Sequence, residues 1–149
     1  MRVGILALAI IGVTVAGASR VTVAAQQAPA AGSGGSVWDG VFSAEQAKRG
    51  EAVYTQECSM CHGGQMEGLD ASPPLSGPMF TSNWNDLSVG DLFERIRISM
   101  PQDNPGKLSR EQDADVVSYI LAANKFPEGE KELPTELPAL KQIKIEAKK

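Results

Sequence analysis

The chain has 149 residues, of which 42% are hydrophobic and 21% are charged, and its 14 basic and 18 acidic residues give a net charge of −4. This acidic balance argues against a nucleic-acid partner and against adsorption to anionic lipid. Two cysteines and one histidine are present, which is fewer than the set of about four ligands that a zinc site needs. These classes of binding protein are therefore disfavoured.

The N-terminus has the pattern of a secretory signal. Arg2 provides a positive start, an almost unbroken apolar run extends over residues 3–15, and small residues follow. Cleavage after Ala25 predicts a signal peptide over residues 1–25, and cleavage after Ala18 is an alternative. An uncleaved anchor would need about 20 apolar residues, and Arg20 interrupts the run early. We therefore expect a periplasmic protein, with membrane contact only if this segment stays uncleaved.

Three regions follow the signal. Residues 26–40 begin with a stretch rich in alanine, glycine, serine and proline, which predicts a flexible linker. Residues 41–126 form one small domain, near the size at which a protein-only core becomes marginal. Residues 127–149 are a C-terminal extension. Removal of the signal takes away two arginines and no acidic residue, so that the net charge falls from −4 to −6.

Three helices are predicted inside the domain, and each begins with a capping-box pattern. Ser43, Ser88 and Ser109 are each followed three residues later by a side chain that can bond back to the helix start. Residues 63–87 hold glycine, proline, serine and asparagine at turn frequency and are predicted to be mostly loop. No alternating apolar and polar run is long enough to demand a sheet, so the predicted fold class is all-α.

Gly50 lies inside the first predicted helix, where it costs about 1 kcal/mol relative to alanine. It shares a helix face with Ala47 and Tyr54. A glycine on that face would let another helix approach closely, and the last helix, which carries Tyr119, is the expected partner.

Both cysteines and the only histidine occur together, in the run Cys58-Ser59-Met60-Cys61-His62. The spacing C-x-x-C-H is typical of covalent c-type haem attachment. The cysteines add across the two vinyl groups of haem and the histidine binds the iron, so one motif predicts one covalent haem c. A redox dithiol is an alternative, but that motif usually follows a strand in a βαβ unit. A structural disulfide would leave the adjacent histidine a coincidence.

A six-coordinate iron needs a second ligand opposite His62, and the chain has no second histidine. The soft candidates are the methionines beyond the signal: Met60, Met66, Met79 and Met100. Met100 is favoured, because it follows an amphipathic helix and Pro101 imposes an extended backbone on it. Met79 is the second candidate and is otherwise expected to fill a gap in the core.

With these features the chain resembles a class I, single-haem cytochrome c over residues 42–126. The resemblance implies an all-α fold with three main helices wrapped around one covalent haem. It also implies Cys58 and Cys61 as thioether links, His62 as the proximal ligand and Met100 as the distal ligand. Several stretches are further similar to periplasmic cytochromes found beside quinoprotein alcohol dehydrogenases: residues 73–84, 100–106 and 124–133.

The resemblance implies three further roles. The segment 73–77 resembles the family's P-x-L-x-G sequence, in which the proline carbonyl accepts the other N–H of the proximal histidine, and this assigns the role to Pro73. Gly50 and Tyr119 match the family's contact between the first and last helices. The indole N–H of Trp84 could donate to a haem propionate, or Trp84 could be a core aromatic residue without a polar role.

The expected function is one-electron transfer without bond chemistry, from a dehydrogenase towards an oxidase or cytochrome complex. One alternative is a fixed electron-accepting subunit of a quinoprotein dehydrogenase. Another is an open-iron haem enzyme or sensor, which the lack of a distal histidine disfavours. The extension 127–149 distinguishes the mobile carrier from the fixed subunit. A tail that packs on its own domain favours a mobile carrier, and a tail with exposed apolar residues favours a docked subunit.

Overall fold

The structure is a computed structural model, and it describes residues 35–147. The predicted signal peptide over residues 1–25 and most of the predicted linker lie outside the described residues. Within residues 35–147 no helix is both long enough and apolar enough to cross a membrane.

Helices make up about half of the described chain, in agreement with the predicted all-α class. Two short strands, β1 and β2, pair in parallel with Gly35 opposite Ile143. The elements in chain order are β1 (Gly35–Ser36), a 3₁₀ helix (Val37–Asp39), α1 (Ala44–Glu57), α2 (Ser59–His62), α3 (Gly77–Trp84), α4 (Val89–Ser99), α5 (Arg110–Ala123), α6 (Leu137–Leu140) and β2 (Ile143–Lys144).

The first and last long helices, α1 and α5, cross at Gly50. A Cβ atom added at Gly50 would lie 1.8 Å from the carbonyl oxygen of Asp115 and 2.9 Å from Cβ of Tyr119. Beside this point the rings of Tyr54 and Tyr119 pack with their centroids 5.5 Å apart. The predicted close approach at Gly50 is therefore confirmed, and no larger residue fits there without moving α5.

Two of the three predicted capping boxes close in both directions, at Ser88 and Ser109. At Ser43 the hydroxyl accepts a hydrogen bond from the Gln46 backbone, but the Gln46 side chain does not return it. The Gln46 amide instead pairs with the backbone of Leu133, accepting from its N–H at 2.7 Å and donating to its carbonyl at 3.2 Å. The Gln46 side chain thus bonds a residue 87 positions away in the chain instead of the backbone of Ser43.

Residues 63–87 are mostly loop, as predicted, except for α3 (Gly77–Trp84), which was not predicted. Pro78 lies in the first turn of α3, where its missing N–H costs nothing. Phe80 is buried, whereas its neighbour Met79 is 57% exposed. Met79 is therefore not the core residue that we expected.

Residues 35–40 differ from the linker predicted over residues 26–40, because they pack on the domain. Val37 is fully buried. The indole N–H of Trp38 donates to the carbonyl of Glu146 at 2.9 Å, and its ring packs edge-on against Phe126 with 4.9 Å between centroids. Val37 and Trp38 pack on the core with their apolar side chains. The linker was predicted because the residues around them are mostly glycine and serine.

Residues 127–147, which we call the C-terminal strap, fold back over the domain. Leu133, Leu140 and Ile145 are buried in the core. The N–H of Ile145 donates to the carbonyl of Leu87 at 2.8 Å, and the carbonyl of Ile145 accepts from the N–H of Asp86 at 2.9 Å. The strap thus belongs to the same hydrophobic core as the helices.

Candidate haem site

The cysteine-histidine motif occupies a short turn at the end of α1. Cys58 lies between the two helices, with φ −123° and ψ −35°. It is the C-cap of α1 and the N-cap of α2. The N–H of His62 donates to the Cys58 carbonyl at 2.9 Å, which closes one helical turn. Cys58, Cys61 and His62 are thus spaced as i, i+3 and i+4, so that they share one face of the turn. Both thiols are free, Cys58 half-buried and Cys61 exposed.

His62 is held by its own loop and is 7% exposed. Its Nδ1 lies 2.9 Å from the carbonyl oxygen of Pro73. Because a carbonyl can only accept, Nδ1 carries the proton and Nε2 is the nitrogen left to bind a metal. The His62 carbonyl also accepts from the N–H of Gly68 at 2.8 Å. This tautomer is the one that an iron-binding imidazole requires, so the residues present fit a haem.

The loop that carries Pro73 is anchored by two residues, Tyr54 and Met66, whose anchoring role was not predicted from the sequence. The Tyr54 hydroxyl donates to the carbonyl of Gly63 at 2.7 Å. Met66, which is 1% exposed, accepts at its carbonyl from the N–H of Leu75 at 2.9 Å. These contacts fix both ends of the segment that presents the Pro73 carbonyl to the imidazole. The only sequence signal for Tyr54 was its place on the buried face of α1, four residues before Cys58.

Met100 caps the C-terminal end of α4. Its backbone is extended, with φ −127° and ψ 151°, as expected for a residue before proline. The loop that follows returns to the attachment turn, since Nζ of Lys107 lies 2.6 Å from a carboxylate oxygen of Glu57, the residue before Cys58. The chain beyond Met100 is thereby tied to the end of α1.

The predicted site residues border one core. Cys58, Trp84 and Met100 are all partly buried and pack against it, as does Leu75 in the Pro73 segment. Trp84 ends α3, with its ring centroid 6.2 Å from that of Phe80. The direct contact between His62 and Pro73 agrees with the role assigned to Pro73. The propionate contact of Trp84 and the iron ligation by Met100 stay predictions.

The electrostatic surroundings of Cys58 disfavour a redox dithiol. Burial raises the pKa of the Cys58 thiol to about 11, and the nearby charges of Glu57, Asp113 and Cys61 act in the same direction. A redox-active cysteine needs a lowered pKa, because the thiolate is the reactive form. The raised pKa of Cys58 therefore does not fit the alternative of a redox dithiol.

These features are those expected of a candidate c-type haem site. Residues 45–120, about half of the chain, match the family described as cytochrome C oxidase, cbb3-type, subunit III. The chain therefore belongs to this family and is a single-haem c-type cytochrome with the all-α class I fold.

Among solved structures, the crystal structure of the sulfane dehydrogenase SoxCD from Paracoccus pantotrophus is similar, with 22% sequence identity and a TM-score of 0.45. The match covers 61% of this chain and 54% of that chain, so that the present chain spans about half the length of the structure it matches. No curated protein matches the sequence.

Proposed function

We propose that this cytochrome is a periplasmic carrier that takes single electrons from a dehydrogenase and passes them to an oxidase or another cytochrome complex. Membership of the family implies electron transfer with haem c. The compartment, the partners and the carrier role are the proposal. Export is supported by the signal pattern in residues 1–25.

In this role Cys58 and Cys61 would hold one haem through thioether links, and Nε2 of His62 and the sulfur of Met100 would bind its iron. When bound, the haem supplies reversible one-electron oxidation and reduction. The carbonyl of Pro73 keeps the His62 imidazole in one orientation and one tautomer. Ligation by histidine and methionine raises the reduction potential.

The packing of the C-terminal strap supports a mobile carrier rather than a fixed subunit. Its apolar residues Leu133, Leu140 and Ile145 are covered by the strap's own domain. Arg49 adds a contact from α1, because its guanidinium bonds both Asp115 of α5 and Glu132 of the strap at 2.9 Å. If the strap bound another protein through these side chains, they would be exposed in the isolated chain.

The exposed surface near the attachment turn suits a transient partner. Met60 is 89% exposed, and Met79 on α3 is also exposed. Glu67 and Asp70 are exposed acidic residues on the loop that follows His62. Exposed acidic residues on this loop favour a basic partner that is attracted before contact. Pro101 is buried and does not contribute to this surface.

Purification from the periplasm without detergent tests the proposal. We expect a haem-containing species of the size of one chain, which is reduced and reoxidised reversibly and does not bind carbon monoxide when reduced. Elution only with a larger dehydrogenase would support the fixed-subunit alternative. Binding of carbon monoxide to the reduced protein would indicate an open iron and contradict the carrier role.

A further inference from the structure

The Pro73 carbonyl is presented to His62 by a segment without helix or strand, residues 63–76, which we call the proximal loop. Pro73 itself is exposed, so burial does not fix its position. An irregular surface segment stays free to move unless hydrogen bonds hold it, because ordering each residue costs conformational entropy. The 2.9 Å contact between the Pro73 carbonyl and Nδ1 of His62 therefore depends on what anchors the two ends of the loop.

At its N-terminal end the proximal loop is anchored to α1 by Tyr54, which is 1% exposed. The Tyr54 hydroxyl donates to the carbonyl of Gly63, the residue after His62, at 2.7 Å. The Tyr54 carbonyl accepts from the N–H of Cys58 at 2.9 Å. One residue of α1 thus bonds the chain on both sides of the attachment turn.

At its C-terminal end the proximal loop is anchored to α5 by Asn124, the C-cap residue of that helix. The side-chain amide of Asn124 donates to the carbonyl of Leu75 at 2.9 Å and accepts from the N–H of Gly77 at 2.9 Å. It also donates to the carbonyl of Ile120 in α5 at 2.8 Å. Since Leu75 lies two residues after Pro73, this amide ties the chain beside the Pro73 carbonyl to the end of the helix.

The two anchoring helices are in direct contact with each other. They cross at Gly50, where an added Cβ atom would overlap the Asp115 backbone, and the Arg49 guanidinium bonds both oxygens of the Asp115 carboxylate. The ring of Tyr54 packs on that of Tyr119 in α5. The anchors at the two ends of the proximal loop therefore belong to one closely packed helix pair.

The hydrogen bond between His62 and Pro73 bears on the iron. An imidazole whose Nδ1–H donates to a carbonyl is a more basic ligand through its other nitrogen. A more basic ligand favours the oxidised, more positively charged iron, and hydrogen bonding around a haem ligand is one means by which a protein sets the reduction potential. A proximal loop held against His62 thus gives a lower potential than a loop that can move away.

We propose that Tyr54 and Asn124 are positioning residues that clamp the proximal loop to α1 and α5, hold the Pro73 carbonyl against His62 and thereby lower the reduction potential of the haem. The proposal rests on the proposed function, in which Nε2 of His62 binds the haem iron. Both residues act on the imidazole through the backbone of the loop.

Redox titration of the holoprotein tests the clamp. Tyr54→Phe and Asn124→Ala each remove the anchoring hydrogen bonds at one end of the proximal loop, so each is expected to raise the reduction potential above the wild-type value. Tyr119→Phe and Asn85→Ala are the matched controls and are expected to keep the wild-type potential. Tyr119 is the ring packed on Tyr54, and Asn85 is the C-cap of α3, whose side-chain oxygen accepts from the N–H of Ala147.

A second readout follows the imidazole itself. His62 is the only histidine of the chain, so isotope labelling of histidine gives a nuclear magnetic resonance signal from one ring. In the reduced protein the Nδ1 proton is expected to exchange with solvent about three- to tenfold faster in Tyr54→Phe and in Asn124→Ala than in wild type, the factor that corresponds to the loss of one hydrogen bond. Both control variants are expected to exchange at the wild-type rate.

A wild-type potential in either Tyr54→Phe or Asn124→Ala would overturn the clamp. A shifted potential with unchanged exchange of the Nδ1 proton would overturn it as well, because the effect would then not pass through His62. If the variants fail to fold, wild type decides: exchange as fast as that of a free imidazole would overturn the proposal, and strongly slowed exchange would support it. Failure of the proposed function has a different appearance, since wild type itself would then contain no haem with a reversible reduction potential.

Discussion

His62 illustrates how a single backbone contact decides the chemistry of a side chain. The Pro73 carbonyl accepts a hydrogen bond from Nδ1–H and leaves Nε2 as the nitrogen that can bind a metal. Tyr54 and Met66 hold the ends of the loop that presents this carbonyl. The proximal side of the site is thus organised by the protein alone, through residues that lie outside the C-x-x-C-H motif.

The distal ligand can be identified by substitution. Met100→Ala should abolish the weak near-infrared band that reports sulfur-to-iron bonding in the oxidised protein, and it should lower the reduction potential because methionine ligation raises it. The change is expected to be a complete loss of the band. Absorption spectroscopy and redox titration of the purified holoprotein measure both effects.

Met79→Ala is the matched control for that substitution, since it removes an equally long thioether from an exposed position on α3. It should leave the band and the potential unchanged. Loss of the band in Met79→Ala and its retention in Met100→Ala would mean that α3, and not the loop after α4, supplies the ligand.

Several of these residues could be predicted from sequence because their signals are local. Cys58, Cys61 and His62 stand next to one another, and Gly50 is conspicuous inside a helix. The part that Met66 plays in the site could not be predicted in this way. Its burial decides that part, and burial depends on which segments pack around a residue.

At the scale of elements, short-range patterns determine where helices begin, and long-range contacts determine which partners the side chains at the helix starts bind. The serines at 43, 88 and 109 each cap a helix as predicted. The reciprocal bond at the first of them is missing because Gln46 pairs with Leu133 in the strap. Helix α3 escaped prediction because its eight residues contain turn-forming types and only one buried apolar side chain, Phe80.

The strap is held to α4 by charge as well as by apolar packing. Nζ of Lys141 lies 2.5 Å from Asp91 and 3.0 Å from Glu94. The hydrogen bond from Lys141 lowers the pKa of Asp91 to about 2, with help from Ser88. Because the folded pKa is below the ordinary value of 3.8, this contact stabilises the fold above that value and is lost as pH falls towards 2.

Truncation of one strap residue tests whether the strap belongs to the folded domain. Leu140 is fully buried, so Leu140→Ala should lower the free energy of unfolding by about 2–5 kcal/mol, the usual cost of such a cavity. Denaturant unfolding of the holoprotein at neutral pH measures the loss.

Leu137→Ala provides the comparison, because Leu137 lies in the same short helix but is only half-buried. Its cost should be clearly smaller, and neither substitution should alter the haem spectrum. Equal and negligible costs for the two variants would show that the strap is detached in solution, and would remove the main support for a mobile carrier.

At the scale of the whole molecule, a small domain is enlarged at both ends. The segment 35–40 and the strap pair through β1 and β2, so that the N-terminal and C-terminal parts of the described chain close the fold together. The all-α class followed from the helix patterns and the haem motif. The pairing of the two ends could not be predicted from the sequence. Hydrophobic residues in a tail can pack on their own domain or on another protein, and only the structure distinguishes the two.

Covalent attachment of one haem through Cys58 and Cys61 underlies every role proposed for this chain, and the intact mass of the purified protein tests it most directly. The expected mass is that of the mature chain plus one haem, with the haem retained through acid-acetone extraction. Replacement of both cysteines by alanine should abolish the added mass. A coloured wild-type protein that has the mass of the polypeptide alone, or that releases its haem on extraction, would contradict covalent attachment and the function built on it.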